Sequence, residues 1–212
     1  MVKSAAIVIA FATGVVFAAS CLVDRRSGEF TCSTDADCAN LTDNRVCDTG
    51  AGFCIPLVCP SVCNGGCDLQ AKKCTVSCPG SNCNKDIDCP DGFDCTITCS
   101  SPNSCNSIKC GDARSCTIMC VGTNACDNVD CGGVGDPTCN ITCSGGNACG
   151  DVTCDEGACM VSCVGSGACG AVDCSDSCSC TAACPTGSCD SVTCPTGCVQ
   201  GTGCGGCNTC GN

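Results

Sequence analysis

From Cys74 to Cys194 the chain alternates cysteine or an aliphatic residue with small polar residues, breaks, and alternates again. The opening half of each phrase is a C-x3-C unit such as Cys95-Thr96-Ile97-Thr98-Cys99 or Cys116-Thr117-Ile118-Met119-Cys120. The closing half is an aliphatic residue, a spacer and a cysteine, as in Ile108-Lys109-Cys110, Val129-Asp130-Cys131, Val152-Thr153-Cys154, Val172-Asp173-Cys174 and Val192-Thr193-Cys194. A period of two is that of a strand with one buried face. The segments between, such as Ser100-Ser101-Pro102-Asn103-Ser104 and Ser144-Gly145-Gly146-Asn147-Ala148, hold residues that tolerate positive φ or bond their own backbone, and read as turns. The phrase starts at Cys74, Cys95, Cys116, Cys139, Cys159 and Cys180, at intervals of 21, 21, 23, 20 and 21 residues. A near-fixed period of this size marks a repeat architecture. Two strands and two turns per repeat predict an all-β fold, a disulfide-rich flattened β-solenoid of about six 20–23-residue coils. Six coils at roughly 4.8 Å each give a rod about 29 Å long.

The cysteines admit two pairing schemes. If each coil is treated as a strand and its return, the pairs nest: Cys95–Cys110 around Cys99–Cys105, Cys116–Cys131 around Cys120–Cys126, Cys139–Cys154 around Cys143–Cys149, and Cys159–Cys174 around Cys163–Cys169. Ile97 would meet Ile108 between the bridges. The rival scheme bridges the turns between coils, for example Cys110 with Cys116. Nesting leaves an odd number of cysteines before the repeats (Cys32, Cys38, Cys47, Cys54, Cys59, Cys63, Cys67). Spacing alone leaves both schemes open.

Composition changes the picture in one respect. The chain has 37 Cys and 27 Gly in 212 residues, five Phe, and no Trp, Tyr or His. With so few aromatics an ordinary apolar core is out of reach, so covalent bridges must replace it. Cysteine at this density reads as a disulfide scaffold of an oxidising compartment. The alternative is a reduced, thiolate metal-binding protein, which would be dense in C-x-C; that spacing occurs once, at Cys178-Ser179-Cys180. The net charge of −12 argues against nucleic acid as a partner.

Residues 1–20 read as a signal peptide: Lys3, an apolar run from Ala5 to Ala19, then small residues before Cys21. Residues 21–31 would be a lipidated cysteine and a polar tether, 32–55 a small cysteine-rich knot, and 56–73 an N-terminal cap. Residues 74–194 would form the repeat solenoid and 195–212 a C-terminal cap. Leu57 and Val58 are the apolar pair expected to cover the open end of the solenoid. Removing Cys21 from 37 leaves 36 cysteines, an even number.

Ala18-Ala19-Ser20-Cys21 resembles a bacterial lipobox, in which the cysteine becomes the lipidated first residue; ordinary cleavage and free secretion is the alternative. The segment from Cys32 to Ile55, with Cys32-Ser33-Thr34-Asp35-Ala36-Asp37-Cys38, Cys47-Asp48-Thr49-Gly50 and Phe53-Cys54-Ile55, is similar to small cysteine-rich modules that follow lipoprotein signals in soil-dwelling Gram-negative bacteria such as myxobacteria. These modules resemble stripped-down Dickkopf or EGF-type knots. The repeats resemble the C-T-[IV]-x-C and G-x-N-A-C tandem repeats of uncharacterised proteins in those bacteria. The resemblance carries no activity. It implies an outer-membrane or cell-surface location, with the membrane as partner through the lipid and an unknown partner at the surface.

Candidate chemistry is sparse. Without His there is no His-based triad, acid/base pair or zinc site, and the carboxylates Asp130, Asp151, Asp155, Glu156, Asp173 and Asp176 form no recognisable catalytic pair. No enzyme and no cofactor are expected. Cys204, Cys207 and Cys210 form a C-x2-C-x2-C run of thiolate-ligand spacing, with Cys198 the nearest fourth ligand; a disulfide cap is the alternative. Asp35, Asp37 and Asp48 suit either Ca²⁺ or turn capping. The outward positions of the first strands (Thr75/Ser77, Thr96/Thr98, Thr117/Met119, Asn140/Thr142, Met160/Ser162, Thr181/Ala183) form a Thr-rich ladder that resembles the ice-binding face of beetle antifreeze proteins. Those of the second strands (Ser107/Lys109, Asn128/Asp130, Asp151/Thr153, Ala171/Asp173, Ser191/Thr193) hold an acidic stripe suited to Ca²⁺. The reading is an exported, membrane-anchored lipoprotein with a structural or adhesive role. The alternatives are a solenoid binding ice or Ca²⁺ and, after that, a thiolate metal-binding protein.

Overall fold

The computed structural model describes residues 31–39, 45–50, 52–56, 58–80, 83, 85–133, 137–200, 203–205 and 210. Residues 1–30, with the leader and Cys21, lie outside the described residues, as do Leu57 and Cys207. The chain divides into two compact units, Met1–Pro56 and Leu57–Asn212.

In the first unit a single helical turn, α1 (Asp35–Cys38), precedes an antiparallel pair, β1 (Arg45–Asp48) and β2 (Phe53–Pro56). Bridges Cys32–Cys47 and Cys38–Cys54 hold the turn to the pair. The aspartates cap backbone. Asp37 accepts hydrogen bonds from the Ser33 and Thr34 amides at 2.8 and 2.9 Å, and Asp35 accepts one from the Cys47 amide at 2.9 Å. Those amides hold the Asp37 carboxyl below its ordinary range, because they bond its charged form. The side chain of Asp48 is outside the described residues.

The second unit is a β-solenoid. In chain order its strands are β3 (Gly66–Asp68), β4 (Lys73–Cys78), β5 (Ile87–Asp88), β6 (Asp94–Cys99), β7 (Cys105–Lys109) and β8 (Ser115–Val121). There follow β9 (Cys126–Asp130), β10 (Thr138–Ser144), β11 (Cys149–Thr153), β12 (Ala158–Val164), β13 (Cys169–Asp173), β14 (Ser179–Ala183), β15 (Cys189–Thr193), β16 (Val199–Gln200) and β17 (Cys204–Gly205). Even-numbered strands from β4 to β14 stack in parallel as one sheet, with β3 added antiparallel at its edge; odd-numbered strands from β5 to β15 stack as the other. The register matches like with like: Cys95↔Cys116, Ile97↔Ile118 and Cys99↔Cys120, then Ile118↔Ile141 and Ile141↔Val161.

Alternation explains both faces. Along β6 and β8 the buried positions are Cys-Ile-Cys and the intervening ones face outward. Val76, Ile97, Ile118, Ile141, Val161 and Ala182 make one interior column, and Ile87, Ile108, Val129, Val152 and Val172 the other, all nearly solvent-free. Small residues turn the corners. Ala125, Ala148 and Ala168 are fully buried there, and Ser104 in the same place is satisfied by donating to the Ala125 carbonyl.

Sulfur fills the rest of the core. At the first corner the bridges are Cys78–Cys83, Cys99–Cys105, Cys120–Cys126, Cys143–Cys149, Cys163–Cys169 and Cys184–Cys189. At the second they are Cys89–Cys95, Cys110–Cys116, Cys131–Cys139, Cys154–Cys159, Cys174–Cys180 and Cys194–Cys204. The inner pairs of the nested scheme are therefore present. The outer ones, Cys95–Cys110, Cys116–Cys131, Cys139–Cys154 and Cys159–Cys174, are corrected to bridges between successive coils. Nesting treats a coil as a hairpin closed on itself. In the solenoid β6 and β7 lie in different sheets, and the chain climbs one rung as it rounds the second corner. Cys110 there meets Cys116 across six positions, the same separation that joins Cys99 to Cys105, while Cys95 is already tied back to Cys89. Both kinds of bridge have similar Cα separations, 6.0 Å for Cys99–Cys105 and 6.3 Å for Cys110–Cys116, within the normal range.

The N-terminal end is covered differently from expectation. Val58 is 74% exposed, so it caps nothing. The edge of β4 is met instead by β3, fixed by Cys63–Cys74 and Cys59–Cys67. Asn64 reinforces the cover: its side chain donates to the Ser77 carbonyl at 3.0 Å and accepts from the Ser77 amide at 2.7 Å.

Candidate functional site

Solenoid geometry turns sequence period into surface columns, so each predicted ladder can be followed along the rod. On the first sheet Thr75, Thr96, Thr117, Asn140, Met160 and Thr181 stand in register, beside Ser77, Thr98, Met119, Thr142, Ser162 and Ala183. The array keeps Thr75, Thr96 and Thr117 in one column for the first three coils, while Met119 already breaks the other. It then passes Met160, which is 54% exposed, with Val121 and Val164 exposed along the same flank. The face is thus Thr-rich at one end and mixed beyond the middle, where Met160 and Ala183 stand among Thr142, Ser162 and Thr181.

On the second sheet the acidic stripe is not continuous. Asp88, Lys109 and Asp130 are neighbours in register, and Thr153 separates Asp130 from Asp173. The negative charge gathers instead at the second corner, where loop carboxylates join strand ones. Asp155, Glu156 and Asp176 line a recess of 390 Å³ beside Gly133, and Asp130 and Asp173 stand close enough to act on Asp155. Gly132 makes this approach possible, since a Cβ there would lie 2.1 Å from an Asp155 carboxylate oxygen. Asp130 accepts from the Gly132 amide at 2.9 Å and Asp173 from the Ser175 amide at 2.9 Å, so these two also pin their own turns. Strand periodicity could not reveal this gathering, because Asp155, Glu156 and Asp176 belong to loops.

The Asp155 carboxyl is raised above its ordinary 3.8, first by desolvation and then by the charges of Asp130, Asp176 and Asp173. Its folded value exceeds its unfolded one. The stability it contributes is fully present below 3.8 and lost as pH rises through the raised value. Replacing Asp155 with Asn is therefore expected to raise the melting temperature at neutral pH, and the gain should vanish near pH 3. A calorimetric pH series on both proteins checks it; a neutral-pH loss would contradict the repulsion.

The cysteine candidates resolve into bridges. Cys204 is bonded to Cys194 and Cys210 to Cys178, and Cys198 is disulfide-bonded as well. The C-x2-C-x2-C run is therefore not a shared thiolate site: two of its three sulfurs tie the tail to separate coils. Inside the rod, sulfurs of neighbouring bridges lie in contact, Cys110 and Cys131 at 3.8 Å, and groups such as Cys110, Cys131 and Cys139 fall within 4.8 Å of one another. All are oxidised to disulfides, whereas the metal ligand and nucleophile is the thiolate.

One charged contact on the surface links successive coils. Arg114 pairs with Asp94 at 2.6 Å and donates to the Ala71 carbonyl at 2.9 Å. Both side chains are exposed, so the pair adds at most about 1 kcal/mol. Among the described residues no helix is long and apolar enough to cross a membrane. Compared with protein-family models, curated proteins and solved structures, the chain finds no match in any of the three.

Proposed function

We propose that the protein is an exported lipoprotein, anchored through Cys21, whose disulfide-laddered solenoid serves a structural or adhesive role at the cell surface rather than a catalytic one. The observation that carries this reading is the pair of bridge ladders, one at each corner, stapling every coil to itself and to the next. Such a ladder is characteristic of an oxidising compartment. It suits a rod that must stay folded outside the cell, and a solenoid offers long regular faces for contact. The apolar leader ending at Cys21 supports export and supplies the anchoring residue. Stable attachment needs more than one acyl chain, which a lipidated N-terminal cysteine provides.

Intact mass of the exported protein tests this, before and after reduction and alkylation. The expected result is a diacyl or triacyl adduct on Cys21 and no alkylation without reduction. An unmodified Cys21 would replace anchorage with free secretion. Free thiols carrying zinc or iron would overturn the disulfide rod itself.

The acidic corner favours a second reading, Ca²⁺ binding, because a carboxylate such as Asp155, partly desolvated and crowded by the charges of Asp130, Asp176 and Asp173, is relieved by a divalent cation. Millimolar Ca²⁺ would then raise the melting temperature by linkage, and Asp155→Asn would blunt the rise.

A further inference from the structure

At the first corner, Asn103, Asn124 and Asn147 hold the same place in three successive coils, with φ of 52°, 52° and 50°. In the next two coils that place is taken by Gly167 and Gly187, at φ of 59° and 78°. Glycine satisfies a left-handed turn at least steric cost, and asparagine is tolerated there. The turn therefore needs no side chain, yet three adjacent coils carry an amide.

Those amides border a groove of 410 Å³, whose other wall is Asn106, Asp127 and Gly150 on the second sheet. Asn106 is oriented by its own bond, donating to the Asp86 carboxylate at 2.9 Å. The side chains of Asn103, Asn124, Asn147 and Asp127 have no hydrogen bond or ion pair within the described residues. Gly150 takes the place of Asn106 and Asp127 one coil on, where a Cβ would lie 1.9 Å from the Asp127 carbonyl oxygen. The amides end with the groove: Gly167 and Gly170 stand where it stops.

The lining selects its ligand by exclusion and by fit. No cation lines it and Asp127 does, so an anion is disfavoured. A single carboxylate is little charge for a divalent metal, which draws on several oxygens. Apart from Cys105 and Cys126, whose sulfurs are buried in bridges, no apolar or aromatic side chain lines it, so it offers no pocket for a peptide anchor. What remains is a neutral, hydroxyl-rich chain. Each Asn presents a donor pair and an acceptor, and Asp an acceptor pair, which suit adjacent hydroxyls. The amides repeat at the rung spacing of about 4.8 Å, close to the repeat of an extended pyranose chain.

We propose that this groove binds a linear neutral polysaccharide running along the solenoid axis, roughly one sugar per rung. The inference rests on the surface-adhesive reading and names its ligand class. The absence of an aromatic platform means that affinity is modest for one rod and grows with many rods on a surface.

The test is titration calorimetry of the full exported chain, disulfides intact, with cellohexaose and fully N-acetylated chitohexaose, and an alginate hexamer as the anionic control. The decisive variant is Asn103→Gly/Asn124→Gly/Asn147→Gly, which keeps the backbone that Gly167 and Gly187 adopt naturally. Saturable binding of a neutral hexamer, weakened at least about tenfold in the triple variant with an unchanged disulfide map, is the expected result. Failure of both neutral hexamers to bind, preference for the anionic one, or wild-type affinity in the triple variant would overturn the proposal. Each of these leaves the acyl adduct on Cys21 standing or falling by mass alone, so the two readings fail separately.

Discussion

Complete reduction of the protein with a small dithiol, followed by alkylation, is expected to abolish the solenoid rather than loosen it. Each strand from β4 to β15 contributes one aliphatic side chain to the interior, Ile118 for β8 and Val129 for β9, and the flanking interior positions are sulfur. Phe93 is the one buried aromatic among the described residues. Apolar burial per coil is therefore far below that of an ordinary domain, while every ordered residue still costs conformational entropy of about 1–2 kcal/mol. The bridges offset this by restricting the unfolded chain. For the short loops closed here, such as Cys120–Cys126 at a separation of six, the entropic contribution is about 2–2.5 kcal/mol each. Two such bridges per coil rival, over two or three coils, the whole 5–15 kcal/mol margin of a typical domain. Far-UV circular dichroism and protease sensitivity, read before and after reduction, measure the effect. Strand signal and protease resistance that survive full alkylation would show that the aliphatic columns suffice without sulfur. A single-rung variant, Cys120→Ala/Cys126→Ala, should cost about 2–3 kcal/mol and open its own corner first.

The strands and their inner faces were legible because Cys95-Thr96-Ile97-Thr98-Cys99 alternates strictly and repeats. The first-corner bridges followed, since a turn flanked by two inward cysteines brings them together. The second-corner bridges did not, because a periodic sequence does not say where one coil ends and the next begins. Cys110 is six residues before Cys116 and fifteen after Cys95, and only the climb of the chain decides between them. The acidic stripe was half legible. Asp130 and Asp173 sit where alternation puts them, but Thr153 parts them, and the loop residues Asp155 and Asp176 supply the rest of the charge. The asparagine groove was hidden for a related reason. Asn124 in Gly122-Thr123-Asn124-Ala125-Cys126 reads as a turn former, which it is, and stacking with Asn103 and Asn147 exists only once coils are superimposed.

Stacking also makes the centre of the rod its least forgiving place, so Ile118→Ala is expected to cost about 4 kcal/mol, near the upper end for a core truncation. Ile118 is fully buried, with Ile97 and Ile141 on either side of it in register. A cavity costs less when its walls can move in, and these walls cannot. Cys116 and Cys120, which flank the site on the same strand, are bound to Cys110 and Cys126, and the neighbouring strands are held the same way. The lost methyl groups would leave a void bordered by both sheets. The chain itself supplies the comparison: the same column ends at Ala182, 4% exposed, where Cys204 and Gly205 of β17 close over β14. A Cβ on Gly203 there would lie 1.6 Å from the Ala182 carbonyl oxygen, so the tail's backbone packs directly against β14. Alanine is thus native where the column is closed off and damaging in the middle. Because the bridges stay closed, the damage should be read locally, by amide exchange across β6, β8 and β10 in the oxidised protein. The expected result is deprotection centred on Ser115–Val121 and fading over one coil to each side, as nearest-neighbour coupling in a repeat array requires. Uniform loosening from β4 to β15 would mean instead that the disulfide ladders make the rod a single cooperative unit.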